Sequence, residues 1–397
     1  MTKKRIGIIG GGIIGTSIGY FLSNYEDADV IVFEKNTIGS GTTAKSAATH
    51  CLIDDSVAHE FWSVRLFGFK FYTGLEANEP GSTGFEKTGT LTVAPYEEYE
   101  DYVLQAIDLT VASGYHAEYL RDKDKIHEII PDLDLEGVLG AGYCPDDGFF
   151  DATKISNTLA SHARKRGAQV LIGTEVLDIH VKDNQVTGVE TNKGHFDLDV
   201  VVDASGPWTR FVSRKVGLEV PIWHTKAEVF ILTPTKNLGY QFPVLKYPRF
   251  YARKDKDSVF ICKAHLTMDL SNPEHAGIWD PDKLPMTGGT DPYFWDFLTD
   301  ELMKDYPRLL DSSVTNDWVG FRAETPDFLP ILGETPVGGY MLAIGAGGNG
   351  VIEAPTIGRD MAKFIMTGEK NWYVKRLPLS RFDDVSNASS SKERLQR

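Results

Sequence analysis

Glycines near the start of the chain have the spacing of a phosphate-binding turn. Residues 10–15 read Gly-Gly-Gly-Ile-Ile-Gly and satisfy the pattern Gly-x-Gly-x-x-Gly. The apolar run at residues 5–9 predicts a buried strand before them, and apolar residues at helical spacing follow them. A second apolar run, residues 30–33, ends at Glu34. Strand, turn, helix and terminal acid together predict a βαβ unit that binds a dinucleotide.

Each of these residue types has a physical role in such a site. Gly10 permits the tight turn, Gly12 lets a pyrophosphate approach the backbone, and Gly15 allows the helix to pack closely on the strand. The helix would offer unpaired N–H groups and the positive end of its dipole to the phosphates. Glu34 would accept hydrogen bonds from ribose hydroxyls and disfavour a 2′-phosphate. The alternative is a glycine-rich turn that binds nothing.

The rest of the chain alternates between two kinds of pattern. Residues 151–204 predict a helix capped by Asp151 and several strands, with a turn at residues 183–184. Residues 221–317 carry aromatic, alternating strands and prolines, which predict an antiparallel sheet over a pocket. Residues 340–366 return to a strand, a glycine-rich turn and a helix that begins at Ala354. We therefore predict an α/β fold, α+β overall, whose Rossmann-like part is discontinuous in sequence.

Composition excludes several functional classes. The chain has 397 residues and 41 basic against 56 acidic side chains, a net charge of −15, which argues against nucleic acid as the main partner. No window reaches the roughly 18 apolar residues of a membrane span. Cys51, Cys144 and Cys262 fit neither a metal motif nor a disulfide framework, so we predict no metal and a reducing cytoplasm.

Several motifs resemble those of the D-amino-acid oxidase-like superfamily, including glycine oxidase, sarcosine oxidase and dimethylglycine dehydrogenase. Residues 39–48 are similar to its second flavin-contact loop, and residues 201–208 to its strand-end motif. Residues 318–333 match W-x-G-x-R-x-x-T-P-D-x-x-P-I-x-G, and residues 345–355 resemble the loop along the flavin. The resemblance also includes Arg381-Phe382 and implies an FAD-binding half joined to an antiparallel substrate half.

The resemblance implies a domain arrangement and a set of flavin contacts. FAD-binding segments are expected at residues 1–83, 146–220 and 318–384, substrate-domain segments at 84–145 and 221–317, and a disordered tail at 385–397. Expected contacts are Gly10, Gly12, Ile13, Ile14, Gly15, Glu34, Lys35, Gly41, Thr42, Thr43, Ser46, Ala47, Ala48, Val176, Ala204, Ser205, Gly206, Trp208, Gly345, Gly347, Gly348, Asn349, Gly350, Val351 and Ile352. Relatives that link FAD covalently have a histidine near Thr43, and this chain does not, so non-covalent FAD is expected.

Four residues are candidates for chemistry. By resemblance, Arg322 clamps the substrate carboxylate; the alternative is a structural salt bridge to Glu324 or Asp327. Lys263 falls near a lysine that promotes oxygen reduction in monomeric sarcosine oxidase; the alternative is an outward-facing strand lysine. His50 would face the flavin ring or pack structurally, and Tyr251 is a pocket aromatic.

The function that this resemblance implies is oxidation of a C–N bond. A small amine or amino acid, N-methylated or not, would be oxidised to an imine, with hydride transfer to flavin N5 and electrons passed to oxygen or another acceptor. Two alternatives are a 2-hydroxy-acid dehydrogenase and a flavoprotein assembly factor with little turnover. The sequence does not identify the substrate, its chirality, the acceptor or the oligomeric state.

Overall fold

The computed structural model describes residues 3–53, 59–263, 278–279, 290 and 292–383. The tail predicted at residues 385–397 lies outside them. The strands are β1 (Lys4–Ile9), β2 (Ala28–Glu34), β3 (Thr49–His50), β4 (Thr90–Ala94), β5 (Glu118–Leu120), β6 (Gly140–Cys144), β7 (Gly148–Phe149), β8 (Gln169–Ile172), β9 (Val176–Lys182), β10 (Gln185–Thr191), β11 (Gly194–Asp197), β12 (Val200–Asp203), β13 (Trp223–Pro234), β14 (Val244–Lys246), β15 (Phe250–Asp255), β16 (Ser258–Lys263), β17 (Ile278–Trp279), β18 (Ser312–Glu324), β19 (Ile331–Glu334) and β20 (Tyr340–Ile344). The helices are α1 (Ile13–Leu22), α2 (Trp62–Asn78), α3 (Glu97–Ala112), α4 (Lys123–Ile129), α5 (Ala152–Lys165), α6 (Thr209–Ser213), α7 (Pro292–Asp305), α8 (Gly350–Thr367) and α9 (Trp372–Arg376).

A mostly parallel sheet has the strand order β19-β20-β12-β1-β2-β8. All of its neighbouring pairs are parallel except β19 with β20. Val200, Val201 and Val202 of β12 are all buried, as expected for a strand covered on both faces. These strands come from three separate stretches of the chain, which confirms the predicted α/β class with a Rossmann-like part that is discontinuous in sequence.

Helix α1 packs against both α5 and α8 beside this sheet. The side chain of Asp151 accepts a hydrogen bond from Lys154 N at 2.8 Å, which confirms the predicted N-cap of α5. The helix α8 begins at Gly350, so the predicted start at Ala354 is wrong by four residues. Pro355 has no N–H to bond to the carbonyl of Val351, and that carbonyl instead accepts the hydroxyl of Tyr72 at 2.8 Å.

A second, largely antiparallel sheet has the order β17-β13-β16-β15-β14-β4-β6-β5, with β18 also paired to β13. Only β14 with β4 is parallel among the pairs that the structure describes in it. Strand β18 belongs to this sheet along its whole length. The boundary expected between residues 317 and 318 therefore falls inside one strand, and the W-x-G-x-R motif lies in the antiparallel sheet.

A small antiparallel sheet, β11-β10-β9, lies beside the parallel sheet, with β10 in contact with β12. Asp183 and Asn184 have φ of 51° and 59°, which confirms the turn predicted between β9 and β10. Cys51, Cys144 and Cys262 are buried, and no disulfide joins any two of them. None of the described helices combines the length and apolar character that crossing a bilayer requires.

Candidate active site

A cavity of about 420 Å³ lies at the carboxyl ends of the parallel strands. Ile9 ends β1, Glu34 ends β2, Ala204 follows β12 and Ile344 ends β20, and all four line it. Ligands of open α/β sheets bind at this edge. The predicted residues in the lining are Gly10, Gly12, Ile13, Ile14, Glu34, Lys35, Gly41, Thr42, Thr43, Ser46, Val176, Ala204, Ser205, Gly206, Trp208, Gly345, Gly347, Gly348, Gly350 and Val351.

Other predicted contacts lie beside the lining, and some lining residues were not predicted. Gly15, Ala47, Ala48, Asn349 and Ile352 are outside it. The additional lining residues are Ile9, Phe33, Asn36, Ser40, Thr174, Glu175, Leu177, Pro207, Phe211, Val212, Lys215, Ala323, Ile344 and Ala346. Most of these additional residues are next to a predicted residue in sequence. Extending each predicted motif by one or two positions would therefore have included them. Phe211, Val212 and Lys215 come from α6 and the turn after it, which no motif indicates.

The turn after β1 needs glycine for two local reasons. Gly10 has φ of +109°, and a Cβ there would lie 2.5 Å from the carbonyl oxygen of Ala204. A Cβ on Gly15 would lie 1.9 Å from the carbonyl oxygen of Gly10. A Cβ on Gly12, in contrast, would meet only Thr43 Oγ1, at 3.3 Å. Gly12 therefore leaves open a part of the cavity that a side chain would fill.

The carboxylate of Glu34, at the end of β2, holds the turn that follows β1. Its Oε2 accepts a hydrogen bond from Gly11 N at 2.8 Å, and its Oε1 accepts one from Asn36 N at 2.7 Å. Each carboxylate oxygen keeps further acceptor capacity toward the cavity. A Cβ on Gly11 would lie 2.8 Å from Cβ of Glu34, so the middle glycine is required by this contact. The sequence pattern alone gave Gly11 no role.

Asp203 organises the turn on the other side of the cavity. Its buried carboxylate accepts hydrogen bonds from Ser205 N at 2.9 Å and from the hydroxyl of Tyr340 at 2.8 Å. Burial raises the pKa of Asp203 to about 6, although the hydrogen bonds from Ser205 and Tyr340 oppose the shift. The contacts fix Ser205 and its neighbours, which line the cavity.

The loop at residues 39–48 is fastened to β18. Thr42 Oγ1 donates to the carbonyl of Phe321 at 2.8 Å, and Lys45 Nζ donates to the carbonyl of Val319 at 2.7 Å. In return, Trp318 Nε1 donates to the carbonyl of Lys45 at 3.3 Å. Burial lowers the pKa of Lys45. A loop that lines the cavity is thus connected directly to the strand that carries Arg322.

Arg322 is a buried cation behind the glycine-rich turn that follows β20. Tyr251 lies beside its side chain and Gly348 of the turn lies against it, although neither Arg322 nor Tyr251 is itself among the lining residues. Burial lowers the pKa of Arg322, but the nearby Glu324 side chain opposes this and the pKa is raised overall, so the guanidinium stays charged. Burial also raises the pKa of Tyr251, which keeps this phenol neutral. The structure therefore brings two of the four predicted catalytic residues together.

Of the two carboxylates considered as partners of Arg322, Glu324 lies close enough to raise the pKa of the guanidinium, and it also accepts a hydrogen bond from Thr225 Oγ1 at 3.1 Å. Asp327, considered as a salt-bridge partner of Arg322, is instead paired with Arg381 at 2.8 Å. Arg253 Nε donates to the carbonyl of Ala47 at 2.7 Å, and its guanidinium lies 4.5 Å from the ring centroid of Phe149. Arg253 therefore supports the loop at residues 39–48 from behind.

The other two catalytic candidates are His50 and Lys263. His50 is 1 % exposed and packs with its ring centroid 4.5 Å from Phe69 and 5.6 Å from Phe150, outside the lining. The structure thus favours the packing alternative for His50. Lys263 ends β16, where its backbone pairs with Phe250. Its side chain lies outside the described part of the structure.

Comparisons with known proteins agree with this architecture. The chain is 27 % identical over 390 residues to human mitochondrial dimethylglycine dehydrogenase, covering 94 % of this chain but 44 % of that protein. It is 28 % identical over 389 residues to glycine oxidase of Geobacillus kaustophilus, covering 96 % and 97 % of the two chains. The structure of L-proline dehydrogenase from P. horikoshii superposes with a TM-score of 0.82 at 25 % identity, covering 97 % and 99 %.

The chain spans less than half the length of the mitochondrial relative. The model of one family, described as FAD dependent oxidoreductase (DAO), matches residues 5–364, which include the glycine turn, the loop at 39–48 and Arg322. The chain therefore belongs to the DAO family of FAD-dependent oxidoreductases.

Proposed function

We propose that this chain binds FAD non-covalently and oxidises the C–N bond of a small amino acid or N-methylated amino acid to an imine. The observation that carries this proposal is Arg322, a charged guanidinium buried against the turn that lines the cavity. Glu324 also lies near Arg322, and the five N–H donors of a planar guanidinium leave enough of them to hold the carboxylate of a substrate as well. The imine would then hydrolyse.

The cavity fits the proposed cofactor in shape and chemistry. Glycine at position 12 leaves a side of the cavity open that a Cβ would occupy. Gly345, Gly347 and Gly348 also line the cavity, and there they expose backbone rather than side chains. Such a surface suits a large planar ligand and its pyrophosphate. No histidine or cysteine is among the described residues that line the cavity, which supports a non-covalent complex.

The residues of this chain would bind and orient the reactants. When bound, FAD would supply the redox chemistry by accepting a hydride from the substrate carbon. Arg322 would hold the carboxylate through two parallel hydrogen bonds, and Tyr251 would fix the guanidinium plane. Holding one end of a small substrate limits the orientations of its C–H bond, which is how positioning accelerates such a reaction. Arg253, with its contacts to Ala47 and Phe149, would keep the flavin loop in place.

The names of the relatives support the same class of substrate. Glycine oxidase, dimethylglycine dehydrogenase and L-proline dehydrogenase are named for amino acids that carry the amine next to a carboxylate. The three differ in whether the nitrogen is primary, secondary or tertiary. We therefore leave the nitrogen substituent open and commit to the carboxylate.

A substrate screen on purified protein tests the proposal. Anaerobic mixing with glycine, sarcosine, dimethylglycine, proline and D-amino acids should bleach the flavin absorbance with at least one of them. Bleaching with 2-hydroxy acids alone would instead indicate a hydroxy-acid dehydrogenase. No bleaching with either class would favour a low-turnover flavoprotein.

Two further measurements address the cofactor and the electron acceptor. Acid precipitation should release the flavin into the supernatant, and yellow colour that stays in the pellet would contradict non-covalent binding. Admitting air to the reduced protein separates an oxidase, which reoxidises rapidly, from a dehydrogenase that needs another acceptor. Should Lys263 promote oxygen reduction, Lys263→Met would slow this reoxidation far more than the reduction.

A further inference from the structure

The small sheet β11-β10-β9 has an outer face that carries a cluster of metal-ligating side chains. Ile179 and Val189 are buried, so the side chains that alternate with them face solvent. On this outer face lie His180 of β9, Glu190 of β10 and His195 of β11. One nitrogen or oxygen from each residue lies within 4.8 Å of the corresponding atoms of the other two. Each of the three strands thus contributes one ligand.

A glycine in the middle strand makes this convergence possible. Gly188 pairs with His180 across the β9–β10 ladder. A Cβ on Gly188 would lie 2.9 Å from Cε1 of His195, so any other residue would push the imidazole away. Without that side chain, the rings of His180 and His195 stack with centroids 4.9 Å apart and an interplanar angle of 21°.

His195 also has a carboxylate on each side. Its Nδ1 is 3.7 Å from Oε2 of Glu190, and its Nε2 is 3.1 Å from Oδ1 of Asp197. Histidines that bind metals usually donate the second ring N–H to a carboxylate, which fixes the tautomer and the ring orientation. With a metal on Nδ1, Asp197 would be that partner. Arg5, 3.4 Å from Asp197, holds the carboxylate in turn.

We propose that His180, Glu190 and His195 form a binding site for a divalent transition-metal ion of the Zn²⁺ class. Two imidazoles and one carboxylate suit Zn²⁺, Cu²⁺ or Ni²⁺, whereas Mg²⁺ and Ca²⁺ prefer oxygen ligands. Three protein ligands leave a position for water on an ion at this surface. The ion would connect all three strands, and β9 begins at Val176, in the wall of the cavity.

Titration of the flavin-loaded protein with ZnCl₂ tests the site. Calorimetry should show one ion per chain, and saturating Zn²⁺ should raise the thermal midpoint by about 2–5 °C. His180→Ala and His195→Ala should each raise the Kd for Zn²⁺ at least about tenfold, which corresponds to about 1.4 kcal/mol of binding free energy. The matched control is His116→Ala, which removes an exposed histidine paired with Asp146 and should leave the affinity unchanged.

Spectroscopy gives a second measurement that does not depend on a variant. Copper bound to the wild-type protein should show hyperfine coupling to two imidazole nitrogens, and acidification should release it because only neutral imidazole ligates. The proposal is overturned if the His180→Ala/His195→Ala double variant binds Zn²⁺ as tightly as wild type. It is also overturned if Mg²⁺ competes as well as Zn²⁺, or if the copper spectrum shows no nitrogen coupling.

Discussion

Arg322 lies against Gly348, which lines the cavity. A Cβ built on Gly348 would be 3.7 Å from Nε of Arg322, an ordinary van der Waals distance, so the glycine exposes the guanidinium edge to the turn. Arg322 also lies beside Tyr251 of the antiparallel sheet. Arg322, a charged residue of the antiparallel sheet, thus reaches the glycine-rich turn that follows β20 of the parallel sheet.

Replacing Gly12 tests the assignment of the cavity to the cofactor. In Gly12→Val the Cβ itself has room, but the two γ-methyl groups project into the cavity where a pyrophosphate would lie. We expect loss of flavin with an unchanged far-ultraviolet circular dichroism spectrum, and partial loss in Gly12→Ala. The measurement is the ratio of flavin to protein absorbance after purification.

The matched control for this change is Gly74→Val in α2, where an added Cβ meets nothing within 4 Å. It should retain full flavin occupancy. Full occupancy in Gly12→Val as well would show that the glycine turn does not hold the cofactor.

Removing the hydroxyl of Tyr251 tests its role as the residue that orients Arg322. Tyr251→Phe keeps the ring but removes the hydroxyl beside the guanidinium, and a hydrogen bond from Arg322 to that hydroxyl would be worth about 1–1.5 kcal/mol. The ratio kcat/KM for the best amino acid of the screen should fall by about 5–10-fold. Because the hydroxyl positions the clamp, the rate of flavin reduction should fall along with substrate affinity.

Tyr143→Phe, on β6 of the same sheet, is the control for Tyr251→Phe and should have no effect on either constant. Equal effects of the two substitutions would mean that Tyr251 acts only through the stability of the sheet.

Glu353 gives the stability of the protein a predictable dependence on pH. This carboxyl, in the first turn of α8, is buried, and burial raises its pKa to about 7 from an ordinary value of 4.5. The folded state therefore binds this proton more tightly than the unfolded state. Its contribution to stability is complete below about pH 4.5 and is lost as the pH rises through about 7.

Glu353→Gln cannot ionise and should therefore lose less stability than wild type between pH 5 and pH 7.5. Urea unfolding at these two values measures the difference. The same pH dependence in both proteins would show that Glu353 is not protonated near neutral pH.

The parts of the site that the sequence predicted well are local ones. Gly10, Gly12 and Glu34 lie within a single βαβ unit, where spacing alone determines the geometry. The roles of Asp203 and Gly11 needed the structure, because the partners of Asp203 include Tyr340, far along the chain. The start of α8 also depended on a distant group, the hydroxyl of Tyr72, which binds a carbonyl that Pro355 leaves free.

The positions of the catalytic candidates also depend on contacts between distant parts of the chain. Tyr251 and Arg322 meet only because β15, β16, β13 and β18 pair in a particular register, which a periodicity argument does not supply. His50 follows the loop at residues 39–48 directly, and its position in sequence suggested the flavin. The structure turns it toward Phe69 and Phe150 instead, since β3 pairs with β7 and buries it there.

Comparing an acid with its neutral analogue tests the central claim, that Arg322 binds a substrate carboxylate. Charge-assisted hydrogen bonds to a desolvated carboxylate contribute about 1.5–3 kcal/mol each. Loss of two such bonds in Arg322→Ala should lower kcat/KM by about two to four orders of magnitude. Arg322→Lys keeps the charge without the planar fork and should show a smaller loss.

The most direct measurement is the rate of flavin reduction by the best amino acid of the screen and by its amide, in wild type and in Arg322→Ala. We predict that wild type strongly prefers the acid and that Arg322→Ala reacts with the two almost equally. If Arg322→Ala keeps the preference for the acid, another cation holds the carboxylate and the central claim is contradicted.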